Sequence, residues 1–184
     1  MKLVWILILF GFSNNLLFSQ RFYRSTPAKL NQTTPTKEKQ GKWVELSGDK
    51  VKSIAHYKED QLHGLIIKYW GNGRLKSEEE YRNNMPHGYF KDFYKSGSKN
   101  RQGNYKRGAK NGLFKKYWHN GELRTQIIFE NDTENGVAVE YYKDGTIKKE
   151  TPYQDGIVQG DVKIYSKTGE LVKSKTYVGA SSIN

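Results

Sequence analysis

Residues 64–87 read GLIIKYWGNGRLKSEEEYRNNMPH, and the same phrase begins again at Gly88. It opens on a glycine, runs through an apolar segment to Tyr69 and Trp70, and meets the turn-forming pair Asn72-Gly73. It continues from Leu75 to Tyr81 and meets a second turn at Asn83-Asn84. The phrase restarts at Gly41, Gly64, Gly88, Gly112, Gly136 and Gly160, 24 residues apart after a first unit one residue shorter. A fixed period of this size marks a repeat architecture in which each unit is one supersecondary element.

The first half of each unit (43–46, 65–70, 89–94, 113–118, 137–142, 161–165) is rich in aromatic and β-branched residues and bounded by turn formers, which favours strand over helix. Asn72-Gly73, Asn120-Gly121 and Asp144-Gly145 read as two-residue hairpin turns. The second half ends on an aromatic residue in every unit: Tyr57, Tyr81, Tyr105, Phe129, Tyr153 and Tyr177. The expected fold is all-β, an elongated single-layer antiparallel meander of about six β-hairpin repeats at 41–63, 64–87, 88–111, 112–135, 136–159 and 160–184. Pro152 lacks an N–H for the ladder and is expected to weaken pairing in the fifth unit.

A two-residue loop sets the register. Counting outward from Asn72-Gly73 pairs Trp70 with Leu75, Tyr69 with Lys76 and finally Gly64 with Tyr81, so the glycine that opens each unit faces the aromatic that closes it. A ring lying across the missing side chain would explain that pairing. On this register Ile66, Trp70, Leu75 and Tyr81 share the core face with Phe90, Phe114, Trp118 and Val162. The other face carries Tyr69, Phe93, Tyr117, Tyr141 and Tyr165 beside Lys76, Arg124 and Lys148, the candidate binding face. A one-residue change in loop length would invert these faces.

Only 35% of the chain is hydrophobic, which suits a thin sheet better than a deep core, and it has no cysteine for disulfides or thiolate chemistry. Lys2, the apolar run 3–10 and the small Ser19 read as a signal peptide over residues 1–19, too short to span a bilayer. Residues 20–40 read as a flexible basic linker, with Arg21, Arg24, Lys29, Lys37 and Lys39 against Glu38 alone. The formal charge of +12 is therefore only partly a property of the repeats.

The junctions His63-Gly64, His87-Gly88, Asn111-Gly112, Asn135-Gly136 and Gln159-Gly160, with the paired aromatics, the Asn-Gly turns and the slot filled by Val51, Leu75, Leu123, Ile147 and Leu171, resemble the MORN-repeat variant family. Bacterial members are often labelled YwqK-type toxin–antitoxin antitoxins. The resemblance implies an elongated sheet of hairpins serving as a protein-interaction or membrane-associated scaffold, and the label implies inhibition of a partner toxin. Lys99 in the apolar slot and Ser47 and Ser166 in the aromatic slot depart from the pattern.

Catalytic signals are poor. His63 and His87 occupy equivalent positions roughly 10 Å apart, too far to share a metal, and Glu78, Glu79 and Glu80 read as solvated. No catalytic residue, metal site or cofactor is expected, so the chain reads as non-enzymatic. The leading expectation is an exported scaffold, periplasmic or secreted, that binds an unidentified protein. An antitoxin-type inhibitor and a binder of an anionic envelope surface are the alternatives. Nucleic acid is not expected as a partner of an exported chain, and the open sheet ends raise edge-to-edge homodimerisation.

Overall fold

The computed structural model of the protein describes residues 30–179 and 181–182. The signal segment at 1–19 and the first part of the linker lie outside the described residues. Every regular element among those described is a strand, and the strands form one open antiparallel sheet in meander order. The hairpins are Lys39–Ser47 with Lys50–Lys58, Gly64–Tyr69 with Leu75–Arg82, Met85–Phe93 with Lys99–Lys106, Gly112–Tyr117 with Leu123–Glu130, Thr133–Tyr141 with Ile147–Gln154, and Gly160–Tyr165 with Leu171–Val178.

The base of each hairpin follows the expected register: Gly64 pairs with Tyr81, Ile66 with Glu79 and Lys68 with Ser77. The turn does not. The Gly73 N–H bonds the Trp70 carbonyl at 2.8 Å and the Trp70 N–H bonds the Arg74 carbonyl at 2.7 Å. Gly73 alone is left-handed, at φ +81°. This is a three-residue loop with a glycine bulge rather than a two-residue turn. Tyr69 therefore pairs with Leu75, not Lys76, and the four hairpins that follow carry the same loop and slip. The first hairpin has the register shift too, but closes on a two-residue Gly48-Asp49 turn with Ser47 paired to Lys50. Turns with two left-handed residues occur instead between units, at Glu59-Asp60, Asn83-Asn84, Arg107-Gly108, Asn131-Asp132 and Asp155-Gly156.

Gly64 and its counterparts oppose the closing aromatic, but the ring does not lie over them. The space above Gly64 meets His56 Cβ at 3.4 Å, that above Gly160 meets Pro152 Cγ at 3.4 Å, and nothing stands within 4 Å at Gly41 or Gly112. These glycines are needed for their backbone: Gly64 has φ +107° where the chain leaves the junction and enters the next hairpin. Pro152 leaves the fifth unit's register intact, pairing with Val137 in an unbroken run while its carbonyl accepts the Gln159 N–H.

The reading of a tether through residue 40 gives way to order from residue 30. Gln32–Thr33 pairs with Lys39–Gln40, and the Asn31 carboxamide accepts the Val44 N–H at 2.7 Å and donates to the Val44 carbonyl at 3.3 Å. Asn31 thus occupies bonding groups on the edge of the first long strand. On the last long strand Lys173 and Lys175 are exposed or half-buried, and edge lysines discourage further pairing.

Strand alternation gives the sheet a ring face and a reverse face. Ile66, Ala55 and Phe129 are buried on the ring face, at 5%, 8% and 8% exposure. No large side chain among the described residues is fully buried, as a single layer requires. Phe90, Tyr105, Phe114 and Phe129 form an edge-to-face run with centroid separations of 5.9, 5.5 and 5.3 Å. Phe114 lies over Gly103, where an added Cβ would stand 2.5 Å from the ring. Gly103→Ala should lower stability by about 1–3 kcal/mol through overpacking. Gly71→Ala, with nothing within 4 Å, should stay within about 0.5 kcal/mol of wild type in the same urea titration.

Candidate interaction rim

Each hairpin ends on one side at its loop and on the other at the junction with its neighbour, so the sheet has a turn rim and a junction rim. Along the turn rim the second aromatic of each pair reaches across to the next hairpin. Trp70 Nε1 donates to the Phe93 carbonyl at 3.2 Å, the Tyr94 hydroxyl to the Tyr117 carbonyl at 2.8 Å, Trp118 Nε1 to the Tyr141 carbonyl at 3.3 Å, and the Tyr142 hydroxyl to the Tyr165 carbonyl at 2.9 Å. The loops are tied the same way, with the Asn72 and Asn120 amides donating to the Lys95 and Lys143 carbonyls. In the sixth unit Ser166 fills the aromatic slot, and its hydroxyl stays local, accepting the Glu170 N–H.

The same rings hold cations. Lys76 and Lys95 stand 4.8 and 5.6 Å from the Trp70 centroid, Arg124 and Lys143 stand 4.4 and 5.7 Å from that of Trp118, and Lys148 stands 6.0 Å from that of Tyr142. The ion pairs among the described residues are elsewhere: Lys52 with Glu45, Lys68 with Glu79, Arg101 with Asp92 and Lys149 with Glu140. Lys76, Lys95, Arg124, Lys143 and Lys148 are thus held by ring quadrupoles and take part in none of these ion pairs.

Charge divides between the rims. The turn segments (47–50, 70–76, 94–100, 118–124, 142–148 and 166–172) hold nine Lys and Arg against four Asp and Glu. The junction segments (58–63, 82–87, 106–111, 130–135 and 154–159) hold five against six. At the end of the basic rim, Trp118, Tyr141, Tyr142, Lys143, Asp144, Lys148 and Lys167 line an open recess of about 620 Å³.

The residues expected to form an exposed aromatic row have a different place. Tyr69, Phe93, Tyr141 and Tyr165 are half-buried, and Tyr117 is 9% exposed beneath Lys99, 5.0 Å from its ring. Burial pushes the Tyr117 and Tyr141 hydroxyls above their ordinary pKa, and a hydrogen bond to Glu150 does so for Tyr165. Phe93, Tyr117, Tyr141 and Tyr165 supply the carbonyls of the cross-hairpin ladder. Lys76, Arg124 and Lys148 lie over Trp70, Trp118 and Tyr142, two of which the two-residue loop assigned or aligned to the core face. Sequence reasoning missed this second-aromatic row; its signal was a ring with a polar tip recurring directly before the loop in the four central units, at Trp70, Tyr94, Trp118 and Tyr142.

On the junction rim His63 Nδ1 is 3.1 Å from Asn83 Oδ1, and the Arg107 N–H donates to His87 Nδ1 at 3.4 Å. Gln40 and Gln159 do the same work, accepting the Glu59 and Gly179 N–H groups. The histidines stitch neighbouring turns, and no group of three potential metal ligands occurs among the described residues. Glu79 is a correction to the solvated acidic run. Its side chain is 18% exposed and accepts from Ser77 Oγ at 2.8 Å, Lys68 Nζ at 3.2 Å and the Tyr81 hydroxyl at 3.2 Å.

The unit defined by this geometry, one hairpin with its following junction turn, recurs in known proteins. The MORN repeat variant matches residues 62–83, 86–107, 110–131 and 134–155. The chain belongs to the MORN-repeat-variant family. The four matched segments of this MORN protein end at Asn83, Arg107, Asn131 and Asp155, each the first left-handed residue of its junction turn. MORN repeats are generally non-catalytic scaffolds for protein or membrane interaction. No curated protein matches the chain.

Tyr142→Phe removes one rung of the ladder and leaves the ring, so it should cost about 1 kcal/mol in urea unfolding. Glu79 sets an acid limit. Burial pushes its carboxyl up, but the Ser77 and Tyr81 hydrogen bonds and the Lys68 charge outweigh it and hold the pKa below the usual 4.5. The group with the lowered folded pKa stabilises above its unfolded value, and that stabilisation is lost as pH falls through the folded one. Wild type should therefore lose more melting temperature below pH 4.5 than Glu79→Gln does.

Proposed function

We propose that this MORN protein is an exported, non-enzymatic scaffold that binds a protein partner in the bacterial envelope. The observation that carries the reading is an apolar row on the reverse face. Leu113 and Ile128 are cross-strand partners, each 43% exposed, and Val137 in the next hairpin is 50% exposed. Ile128 reaches toward the next hairpin, its Cδ1 standing 3.8 Å from where a Cβ on Gly136 would lie. Adjacent apolar side chains left open on a regular, rigid surface are the chemistry of a protein interface. Lys2, the apolar run 3–10 and Ser19 support export.

The test is capture from an envelope extract by the chain from Gln20 onward, at low and high salt, beside a Leu113→Glu/Val137→Glu variant. A stoichiometric protein that stays bound at high salt to wild type and is lost from the variant is the expected result. Retention of the same protein by the variant would exclude the apolar row. Recovery of only non-protein polymer that washes off with salt would overturn the protein-scaffold reading.

A further inference from the structure

We infer that the turn rim is a binding site for a linear acidic glycan laid across the hairpins, with its last sugars in the recess between Trp118 and Lys167. This site is separate from the apolar row and does not depend on it.

Three features lead to a glycan rather than to another anion. The first is pitch. Successive hairpins repeat every two strand spacings, about 10 Å, close to the length of one disaccharide in an extended β-linked chain. Lys76 and Lys95 at Trp70 and Arg124 and Lys143 at Trp118, two hairpins or about 20 Å further along, therefore present paired cations at every second disaccharide of a polymer bearing one carboxylate per disaccharide. The second is the way the charge is held. A lysine over an aromatic ring is positioned by the quadrupole without losing charge to a protein carboxylate, so its ammonium remains able to bind an external anion.

The third is the mixture of groups in the recess. Trp118 and Tyr142 offer apolar ring surface, Lys143, Lys148 and Lys167 offer charge, and Asp144 stands among them. The Asp144 carboxylate is anchored in the loop by the Thr146 N–H at 2.9 Å. A carboxylate at this position repels a dense polyanion such as a nucleic acid or polyphosphate, whereas it accepts hydrogen bonds from sugar hydroxyls. A recess open to about 620 Å³ also admits a chain of rings, which a planar layer of lipid headgroups does not enter. Like-charged carboxylates spaced by neutral sugars match cations spaced by neutral rings.

Titration calorimetry with hyaluronan oligosaccharides, which carry one carboxylate per disaccharide, tests the assignment. Affinity should rise with each added disaccharide from a tetrasaccharide upward, then level off once the chain spans the ring-bearing hairpins. Lys143→Gln/Lys148→Gln/Lys167→Gln should weaken the longest oligosaccharide by about tenfold or more without changing the melting temperature. Lys58→Gln/Lys106→Gln on the junction rim should leave binding unchanged. Equal binding by the triple variant, or affinity independent of length, would overturn the site. Poly-L-glutamate or phosphatidylglycerol vesicles binding as tightly per charge as hyaluronan would overturn the glycan assignment and leave a simple charged surface. The Leu113→Glu/Val137→Glu variant should bind the oligosaccharides normally, so failure of either reading is seen separately.

Discussion

The bond from each loop-side aromatic to the carbonyl of the next hairpin is the interaction on which the rest of the structure depends. A single-layer sheet has no second layer against which to bury a face, so one hairpin must hold the next within the layer. Trp70 on Phe93, Tyr94 on Tyr117, Trp118 on Tyr141 and Tyr142 on Tyr165 do this on one rim. On the other, the second residue of each junction turn donates its N–H back one unit, as Asn84 does to Leu62 and Asp132 to Lys110. The strand ladder supplies the middle. Each hairpin is thereby fastened at both ends, and stability becomes a chain of nearest-neighbour terms.

This arrangement explains where apolar burial is concentrated. The edge-to-face run from Phe90 to Phe129 crosses the third and fourth units and is closed over Gly103, which lets Phe114 lie flat against backbone. On the same face, polar residues replace rings in the second and fifth units. Glu79 sits among Ser77, Tyr81 and Lys68, and Thr151 is 6% exposed. A half-covered face accommodates such groups because each finds a partner or stays near water.

The rings that fasten hairpins also position cations, so structure and surface charge come from the same residues. Ion pairs tie down cations such as Lys68 and Arg101, whereas Lys76, Arg124 and Lys148 on the turn rim rest on Trp70, Trp118 and Tyr142. The basic charge of the repeats is therefore directional. It collects along one rim, while the apolar row at Leu113, Ile128 and Val137 lies on the reverse face.

Read alone, the 24-residue phrase determined the repeat, the strand class, the meander and the pairing of Gly64 with Tyr81, because period and alternation are local properties that pairing preserves. The family resemblance rested on the same residues. What only the tertiary structure decided was the loop. Asn-Gly suits both a two-residue turn and a three-residue loop with a glycine bulge, and the choice is set by the geometry of the flanking strands. That one-residue difference moved Lys76 and Arg124 from beside the first aromatic of each pair to a place over Trp70 and Trp118. It also hid the cross-hairpin ladder, whose acceptors are backbone carbonyls common to every residue type. Side-chain identity carries the period, but a contact to the backbone of a neighbouring hairpin leaves its mark only on the donor.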